Sequence, residues 1–533
     1  MTGAPRYDVV IPTTGRPTLD ILLSALGAAD GPLPEHVLLA DDRPPGGAPL
    51  DPVVPGTLAG RTAVIATGGH GPAAARNQGL RAATAPWIAF LDDDVLPPPG
   101  WRADLAHDLT GLAPTVAGSQ GRIRVPLRRD LAPTDWQRNV AALEHAHWAT
   151  ADLAYRRAAL EAVGGFDERF PRAYREDSDL GLRLAARGLE IVAGRRGVLH
   201  PVGPADRWVS LRKQAGNADD ALMTALHGRG WRARAGAPPG RLARHVATTA
   251  AGALAVAATT AGARRTAAAG AAAWLAGTAE LAWARIAPGP RTPGELSTMV
   301  LTSAVLPGAA VAHRAAGVLR ARRLLREDAG PVPAVPLAVL LDRDGTLIHD
   351  VPYNRDPALV LPMAGVRRAL DRLRACGVKL AIVSNQSGIA RGWLTAGEVQ
   401  AVTDRVIDRL GPFDDVRWCP HGPGDGCACR KPAPGMLLDA AAALGVDPLR
   451  CALTGDIGSD MAAARAAGMR GILVPTAATR REEVAAAPER ATTFAAAVDL
   501  LLRAASRPQP APDLRPVGPG TERDRDLARE AVA

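Results

Sequence analysis

Short apolar runs separated by helix-length stretches dominate the first two hundred residues. Residues 9–12, 37–40, 64–66 and 87–91 read as buried strands, with helices over 19–29 and 73–82 between them. Strands alternating with helices predict a largely parallel sheet with crossover connections. The alternation returns after Val335. There 339–341, 380–383, 451–454 and 471–474 read as strands, and 364–375, 399–410, 436–444 and a stretch from Asp460 to Ala467 as helices. Ligands of such sheets collect beyond the carboxyl ends of strands, where acidic residues repeatedly fall in this sequence.

The region between these two patterns is different. Residues 246–284 are dominated by Ala, and 246–263 carry no charge, the short edge of a membrane-spanning length. Alanine contributes little transfer energy, so a soluble helical hairpin, surface association and insertion all stay open. A further apolar segment, 296–311, is expected to break at Pro307, and 314–326 reads as a basic helix. From Arg207 to Arg326 there are seventeen Lys and Arg against four Asp and Glu, while the whole chain carries a net charge of +9. Sugar phosphates, nucleotides or an anionic membrane surface suit that charge. Nucleic acid does not: the positive region is Ala-rich, and 4% aromatic residues leave little for base stacking.

A chain of 533 residues exceeds what one core organises, and 47% hydrophobic with 22% charged residues excludes wholesale disorder. The expected architecture is α/β: a first domain over 1–235, an Ala-rich basic helical region over 236–330, a second α/β domain over 331–500, and a flexible tail over 501–533. No apolar run precedes Tyr7, so no secretory signal is expected and the cytoplasm, with its membrane face, is the expected location.

The sharpest chemistry lies in the second domain. Asp342-Arg343-Asp344-Gly345-Thr346 directly follows a strand. Two carboxylates there can divide the labour of phosphoryl transfer, one attacking phosphorus and the other moving protons. Ser384-Asn385 follows the next strand, Lys431 can neutralise phosphoryl oxygens, and Asp456 and Asp460 follow a third. Mg²⁺ held by Asp342 and Asp456 would let a carboxylate approach a dianionic ester. Over about residues 337–480 this order resembles the haloacid dehalogenase superfamily, in the branch of heptose bisphosphate and histidinol-phosphate phosphatases. The resemblance implies a Rossmann-like fold, Asp342 as nucleophile and Asp344 as general acid and base. It also implies phosphate held by Ser384 and Lys431, substrate positioned by Asn385 and Arg430, and Mg²⁺ at Asp342, Asp344, Asp456 and Asp460. Only 39 residues separate Asp344 from Ser384, which leaves little room for a cap. D-glycero-D-manno-heptose 1,7-bisphosphate is the favoured substrate; histidinol phosphate and other small phosphomonoesters stay open.

Three of the five cysteines crowd into eleven residues. Cys419, His421, Cys427 and Cys429 form a closed three-thiolate, one-imidazole set, which predicts structural Zn²⁺. It stands immediately before Arg430-Lys431 and would pin them at the phosphate. Cys376 and Cys451 read as core thiols.

In the first domain, Asp92-Asp93-Asp94 ends the strand 87–91, and Glu176-Asp177-Ser178-Asp179 lies far downstream. Carboxylates at a strand end can hold Mg²⁺ or Mn²⁺ and so clamp a diphosphate leaving group. With residues 10–13, Asp41-Asp42, residues 74–77 and residues 164–167, over roughly 7–215, they resemble a family 2 glycosyltransferase of GT-A fold. The resemblance implies that Pro12, Thr13 and Asp42 face the nucleotide and that Asp92, Asp93, Asp94 and Glu176 serve the nucleotide sugar, with Asp94 at the metal. Asp177 is the implied base of an inverting displacement. Arg76 supports the donor or closes a salt bridge inside the fold, and His200 reads as structural. The expected partners are a nucleotide-sugar donor, a glycan or small-molecule acceptor and a sugar phosphate. A non-catalytic carbohydrate-binding or scaffolding first domain is the alternative.

Overall fold

The computed structural model describes residues 4–327, 330–504 and 512–518. Thirteen strands form two sheets. The first contains β1 (Tyr7–Thr13), β2 (Val37–Asp41), β3 (Thr62–Ala66), β4 (Trp87–Leu91), β5 (Val116–Arg124), β6 (Asp152–Arg156) and β7 (Glu190–Leu199). The second contains β8 (Ala338–Leu341), β9 (Lys379–Asn385), β10 (Asp415–Cys419), β11 (Cys451–Gly455) and β12 (Arg470–Leu473), and β13 (Leu514–Pro516) returns to the first.

The first sheet has the order β13-β3-β2-β1-β4-β6-β5-β7. Its β3-β2-β1-β4 half is parallel: the helices Thr18–Ala28 and Pro72–Ala82 carry the β1–β2 and β3–β4 crossovers, while a loop without a helix joins β2 to β3; β6 runs antiparallel to both neighbours. Strand β4, Trp-Ile-Ala-Phe-Leu, is buried throughout because both faces are covered. Val9, Ile11, Leu22 and Trp101 fill one side, and Val10, Phe90, Tyr155 and Phe166 the other. The register Thr13↔Asp41 puts the carboxyl ends of β1 and β2 level with each other.

The second sheet is wholly parallel, in the order β10-β9-β8-β11-β12. The chain leaves the central strand β8 toward β9 and later returns on its other side as β11, which makes β8 the switch point. Asp342, Ser384 and Asp456 thereby leave adjacent strand ends. The helix Ala396–Leu410 begins with a reciprocal Thr395–Glu398 capping box and buries Val399, Val402 and Val406.

The Ala-rich region forms the helices Leu242–Thr260, Arg264–Ile286 and Pro293–Arg326. The first two pair as the expected hairpin. The break at Pro307 does not occur: one helix of 34 residues runs through it. Pro307 is buried, and the helix is held from outside, by Gly317 packed directly on the Ala218 backbone and by Arg285 donating to Thr302 and Ser303 at 2.8 and 3.0 Å. Lateral packing thus outweighs the hydrogen bond that proline removes. This helix, rather than residues 246–263, is long and apolar enough to cross a bilayer, with 33% of its most apolar window buried.

The tail divides. The helix Phe494–Leu502 still belongs to the second domain, and Leu514–Pro516 pairs antiparallel with β3, so this part of the expected loose tail is an edge strand. Residues 505–511 and 519–533 lie outside the described residues. The two domains also meet directly: the Glu161 carbonyl accepts from Ala334 N at 2.9 Å, its carboxylate pairs with Arg450, and Leu449 enters the first domain's core.

Candidate active sites

Four strand-end segments of the second domain converge. Lys431 Nζ lies 2.5 Å from Asp342 Oδ1, 2.6 Å from Asp460 Oδ1 and 3.0 Å from the Val383 carbonyl. Asp342, Asp456 and Asp460 are all buried and offer oxygens within 4.8 Å of one another. Burial pushes the Asp342 carboxyl well above its ordinary range, with Lys431 opposing and Asp460 and Asp344 adding to the rise. Burial and Asp460 raise Asp456 to about 6. Burial opposes the Lys431 charge, but Asp342 and Asp460 outweigh it and raise its pKa. Three crowded acids against one ammonium leave surplus negative charge, which fits a hard divalent cation.

Gly345 shapes this cradle. Its φ is +78°, and a Cβ there would lie 2.3 Å from Asp456 Oδ2. Glycine alone meets both demands. Asp456 is further held by Thr476 Oγ1 donating at 3.3 Å, and by Thr479 Oγ1 donating to its carbonyl at 2.6 Å.

Asp344 points its carboxylate at Arg343, 2.9 Å, and at Gln386 Nε2, 3.0 Å. Gln386 also donates to Ser384 Oγ at 2.8 Å, so one amide ties the expected phosphate-binding hydroxyl to the expected acid. Asn385 sits elsewhere than expected. Its side chain donates to the Lys431 carbonyl at 3.0 Å and accepts from Lys431 N at 3.1 Å, so it positions the lysine.

The loop before Lys431 brings Cys419, His421, Cys427 and Cys429 together. Sulfur–sulfur separations are 3.2, 3.5 and 3.7 Å, and His421 Nδ1 lies 3.3 and 3.5 Å from two of the sulfurs. A tetrahedron with Zn–S bonds of about 2.3 Å has sulfur–sulfur edges of roughly 3.8 Å. The donor set therefore fits zinc. Arg430 donates to the His421 carbonyl at 3.2 Å, which links the cluster to the residue beside Lys431.

At the first sheet, Asp92, Asp94 and His200 offer donor atoms within 4.8 Å of one another. His200, read from sequence as structural, faces Asp94 at 3.6 Å. Arg16 lies 2.7 Å from Asp94 and 3.2 Å from Asp93. Asp93 is buried and accepts from Thr13 Oγ1 at 2.7 Å, which makes it a brace between strand ends. Asp42 accepts from Thr67 Oγ1 at 2.8 Å and Gly71 N at 3.0 Å; Pro12 is half-buried in β1. Burial, reinforced by neighbouring acids, raises both Asp93 and Asp94.

Arg76 is fully enclosed and bridges Glu176 and Asp92, 2.8 Å to each. It closes a salt bridge across the site, the second of its two sequence readings. Glu176 and Asp177 open the helix Glu176–Ala186. Burial raises both pKa values, and Asp177 adds to the rise at Glu176. Asp179 is instead engaged by His227 and Arg183, at 2.7 and 2.8 Å.

The comparisons with known proteins divide the chain the same way. A Glycosyl transferase family 2 model matches residues 8–139, and a HAD-hydrolase-like model matches residues 428–501. The D-glycero-beta-D-manno-heptose-1,7-bisphosphate 7-phosphatase of Rhodopseudomonas palustris is 39% identical over 145 residues, which is 25% of this chain and 81% of that protein. The same-named enzyme of Pasteurella multocida is 39% identical over 150 residues, 26% of this chain and 82% of its own. Through its carboxy-terminal domain, the chain belongs to the haloacid dehalogenase-like heptose-bisphosphate phosphatase family. Its amino-terminal domain is family 2 glycosyltransferase-like. A crystal structure of D,D-heptose 1.7-bisphosphate phosphatase from B. bronchiseptica, complexed with magnesium and phosphate, is 32% identical; it covers 31% of this chain and 98% of that one, with a TM-score of 0.29.

Sequence reading missed Gln386, Thr476 and Thr479 in the phosphatase domain and Arg16 in the glycosyltransferase domain, and it read His200 as structural. Gln386 had a signal, since it stands two residues after Ser384 at a strand end. The two threonines had none, because their partner Asp456 lies 20 and 23 residues earlier, beyond a helix and a strand.

Proposed function

We propose that the chain is a bifunctional enzyme that hydrolyses a sugar phosphate and transfers a sugar from a nucleotide-sugar donor with inversion. The substrate of the phosphatase domain is D-glycero-D-manno-heptose 1,7-bisphosphate, converted to the 1-phosphate. The convergence of Asp342, Lys431, Asp456 and Asp460 on one buried site carries this reading.

In the proposed reaction Asp342 attacks phosphorus through a carboxylate oxygen and becomes an aspartyl phosphate. Asp344 protonates the departing sugar oxygen, then takes a proton from the water that hydrolyses the aspartyl ester. Lys431 and Ser384 hold the phosphoryl oxygens, and Asn385 keeps Lys431 in place. Asp342, Asp456 and Asp460, with the Asp344 carbonyl, would hold Mg²⁺, which would supply the charge neutralisation needed for one anion to approach another. Cys419, His421, Cys427 and Cys429 would hold a structural Zn²⁺, which would order the loop that leads into Arg430 and Lys431.

In the glycosyltransferase domain, Asp177 is the base that removes the acceptor proton, and Asp92, Asp94 and His200 are the donor set for Mn²⁺ or Mg²⁺ at the diphosphate. The Arg76 bridge from Asp92 to Glu176 supports this, because it couples the two halves of the site. Both reactions are placed in the cytoplasm, with association at the membrane face through the middle helices. Val300, Leu301, Val305 and Leu319 are exposed there.

Hydrolysis of both anomers of heptose 1,7-bisphosphate, compared with histidinol phosphate, tests the phosphatase assignment. Preference for histidinol phosphate overturns the heptose substrate. Trapping an aspartyl phosphate on Asp342 tests the mechanism, and its absence during turnover overturns the nucleophile.

A further inference from the structure

We propose that the acceptor of the glycosyl transfer carries a phosphate group, bound in a cationic cleft beside the proposed base. This rests on the transferase reading of Asp177 and extends it to a substrate class.

The cleft, of 1310 Å³, opens between the loop 172–175, the helix Gly216–His227 and the long middle helix. Eight Arg and Lys side chains line it, against one carboxylate, Asp220. Asp220 is already engaged by Arg175 at 2.9 Å and by Arg232. Carboxylates outside the lining occupy three more of the cations: Asp219 pairs with Arg172, Asp206 with Arg212 and Glu280 with Arg241.

Three cations remain. Among the described residues no carboxylate forms an ion pair with Lys213, Arg229 or Arg314. Lys213 has the neutral Asn139 Oδ1 at 2.9 Å, and Arg314 has the Thr224 hydroxyl at 3.1 Å. Arg314 is half-buried, and burial lowers its pKa, with Asp220, which forms no ion pair with it, opposing and Arg232 adding to the fall. A guanidinium partly withdrawn from water and without an ion pair of its own gains from an anion. The three cations come from three separate segments that line the one cleft, and a phosphate offers several acceptor oxygens for charge-assisted hydrogen bonds.

The cleft is placed for an acceptor and not for the donor. Tyr174 and Arg175 form its wall and are the two residues directly before Glu176 and Asp177. None of Thr13, Asp42, Asp92 and Asp94 lines it. An acceptor anchored there by its phosphate would present a hydroxyl toward Asp177. That oxygen bonds to the anomeric carbon, the bond from that carbon to the nucleoside diphosphate breaks with its electron pair leaving on the diphosphate, and the hydroxyl proton passes to Asp177.

A soluble sugar phosphate and a phospholipid headgroup share this chemistry, and site-resolved arginine labelling separates them. The full-length Asp342→Asn variant, which would not consume a phosphorylated probe, is treated with phenylglyoxal, and Arg229 and Arg314 are read by peptide mass spectrometry. The probes are glucose 6-phosphate, glucose, phosphatidylglycerol vesicles and phosphatidylcholine vesicles. Slowing of both arginines by about tenfold with glucose 6-phosphate, and not with glucose, supports a soluble acceptor. Slowing with phosphatidylglycerol alone supports a lipid acceptor. Equal labelling under all four conditions overturns the phosphate cleft. Mn²⁺-dependent binding of UDP, GDP, CDP or ADP, abolished by Asp94→Ala, reports the transferase reading separately. Nucleotide binding without protection overturns only the cleft, whereas protection without any nucleotide binding overturns the acceptor role.

Discussion

Lys431 and Asp342 stand 89 residues apart in sequence, yet the lysine ammonium lies 2.5 Å from a carboxylate oxygen of the aspartate. The same ammonium lies 2.6 Å from Asp460, so one cation holds two acids of the same cluster. Asp342→Asn keeps the shape and a hydrogen-bond acceptor but removes the nucleophile. Sugar-bisphosphate hydrolysis is expected to fall by about 1000-fold or more with the circular dichroism unchanged. Lys431→Ala is expected to cost about 100- to 1000-fold in kcat. Near-normal turnover in either variant removes that residue from the chemistry.

Gly345 is tested by contrast with Gly377. Both have positive φ, +78° and +71°, but only a Cβ at 345 meets the Asp456 carboxylate; nothing lies within 4 Å of a Cβ at 377. Gly345→Ala is expected to reduce phosphatase activity by about 100-fold, through the displaced carboxylate. Gly377→Ala carries only the strain of its backbone, about 1 kcal/mol, and should retain activity. Equal losses in the two variants would remove the special role given to the 345 contact.

Cys419 is buried in the second domain's core with Cys427 and Cys429 packed against it, and the donor set these thiols form with His421 is open to a direct test for metal. Cys427→Ser is expected to lose zinc in elemental analysis, lower the unfolding temperature of the phosphatase domain and reduce kcat/KM by about 10- to 100-fold. Full zinc content with unchanged kinetics would dismiss the assignment.

Arg76 is enclosed between two acids. Arg76→Ala leaves Glu176 and Asp92 facing each other without their shared cation and is expected to destabilise the glycosyltransferase domain by about 3–5 kcal/mol in denaturant titration. A loss below about 1 kcal/mol would mean that the bridge is relieved by water.

Glu176 binds its proton more tightly in the folded protein, because burial and Asp177 raise its pKa from the ordinary 4.5 to about 8. A raised acid contributes stability that is present below the unfolded pKa and disappears as pH climbs through the folded one. Between about pH 4.5 and pH 8 the glycosyltransferase domain should therefore weaken as pH rises. Glu176→Gln keeps the amide oxygen toward Arg76 and should flatten that slope in unfolding curves at pH 5, 6, 7 and 8. An unchanged slope assigns the pH dependence to another group.

Most strand ends bearing proposed chemistry were legible in the sequence. Strands β1, β2, β4, β8, β9 and β11 follow from short apolar runs, since a strand covered on both faces must be apolar throughout. Strand β5 escaped this reading. Gly118, Ser119, Gln120 and Gly121 interrupt its apolar character, and buried Ser119 is matched instead by Arg196, which donates to its hydroxyl at 2.9 Å. Strand β10 is a half-buried edge, and β13 exists only because β3 offers it an unpaired edge. No local pattern encodes such a partner.

The sequence by itself determined the chemistry: which acids end strands, which thiols share a loop, and where the net positive charge lies. These are local properties, set by residue identity and short spacing. The tertiary structure decided how those groups are used. It turned Asn385 to the Lys431 backbone, tied Asp344 to Ser384 through Gln386, enclosed Arg76 between Asp92 and Glu176, and ran one helix through Pro307. Each of these depends on groups brought together by the fold, where burial removes water and leaves side chains no other partner for their charge or hydrogen bonds.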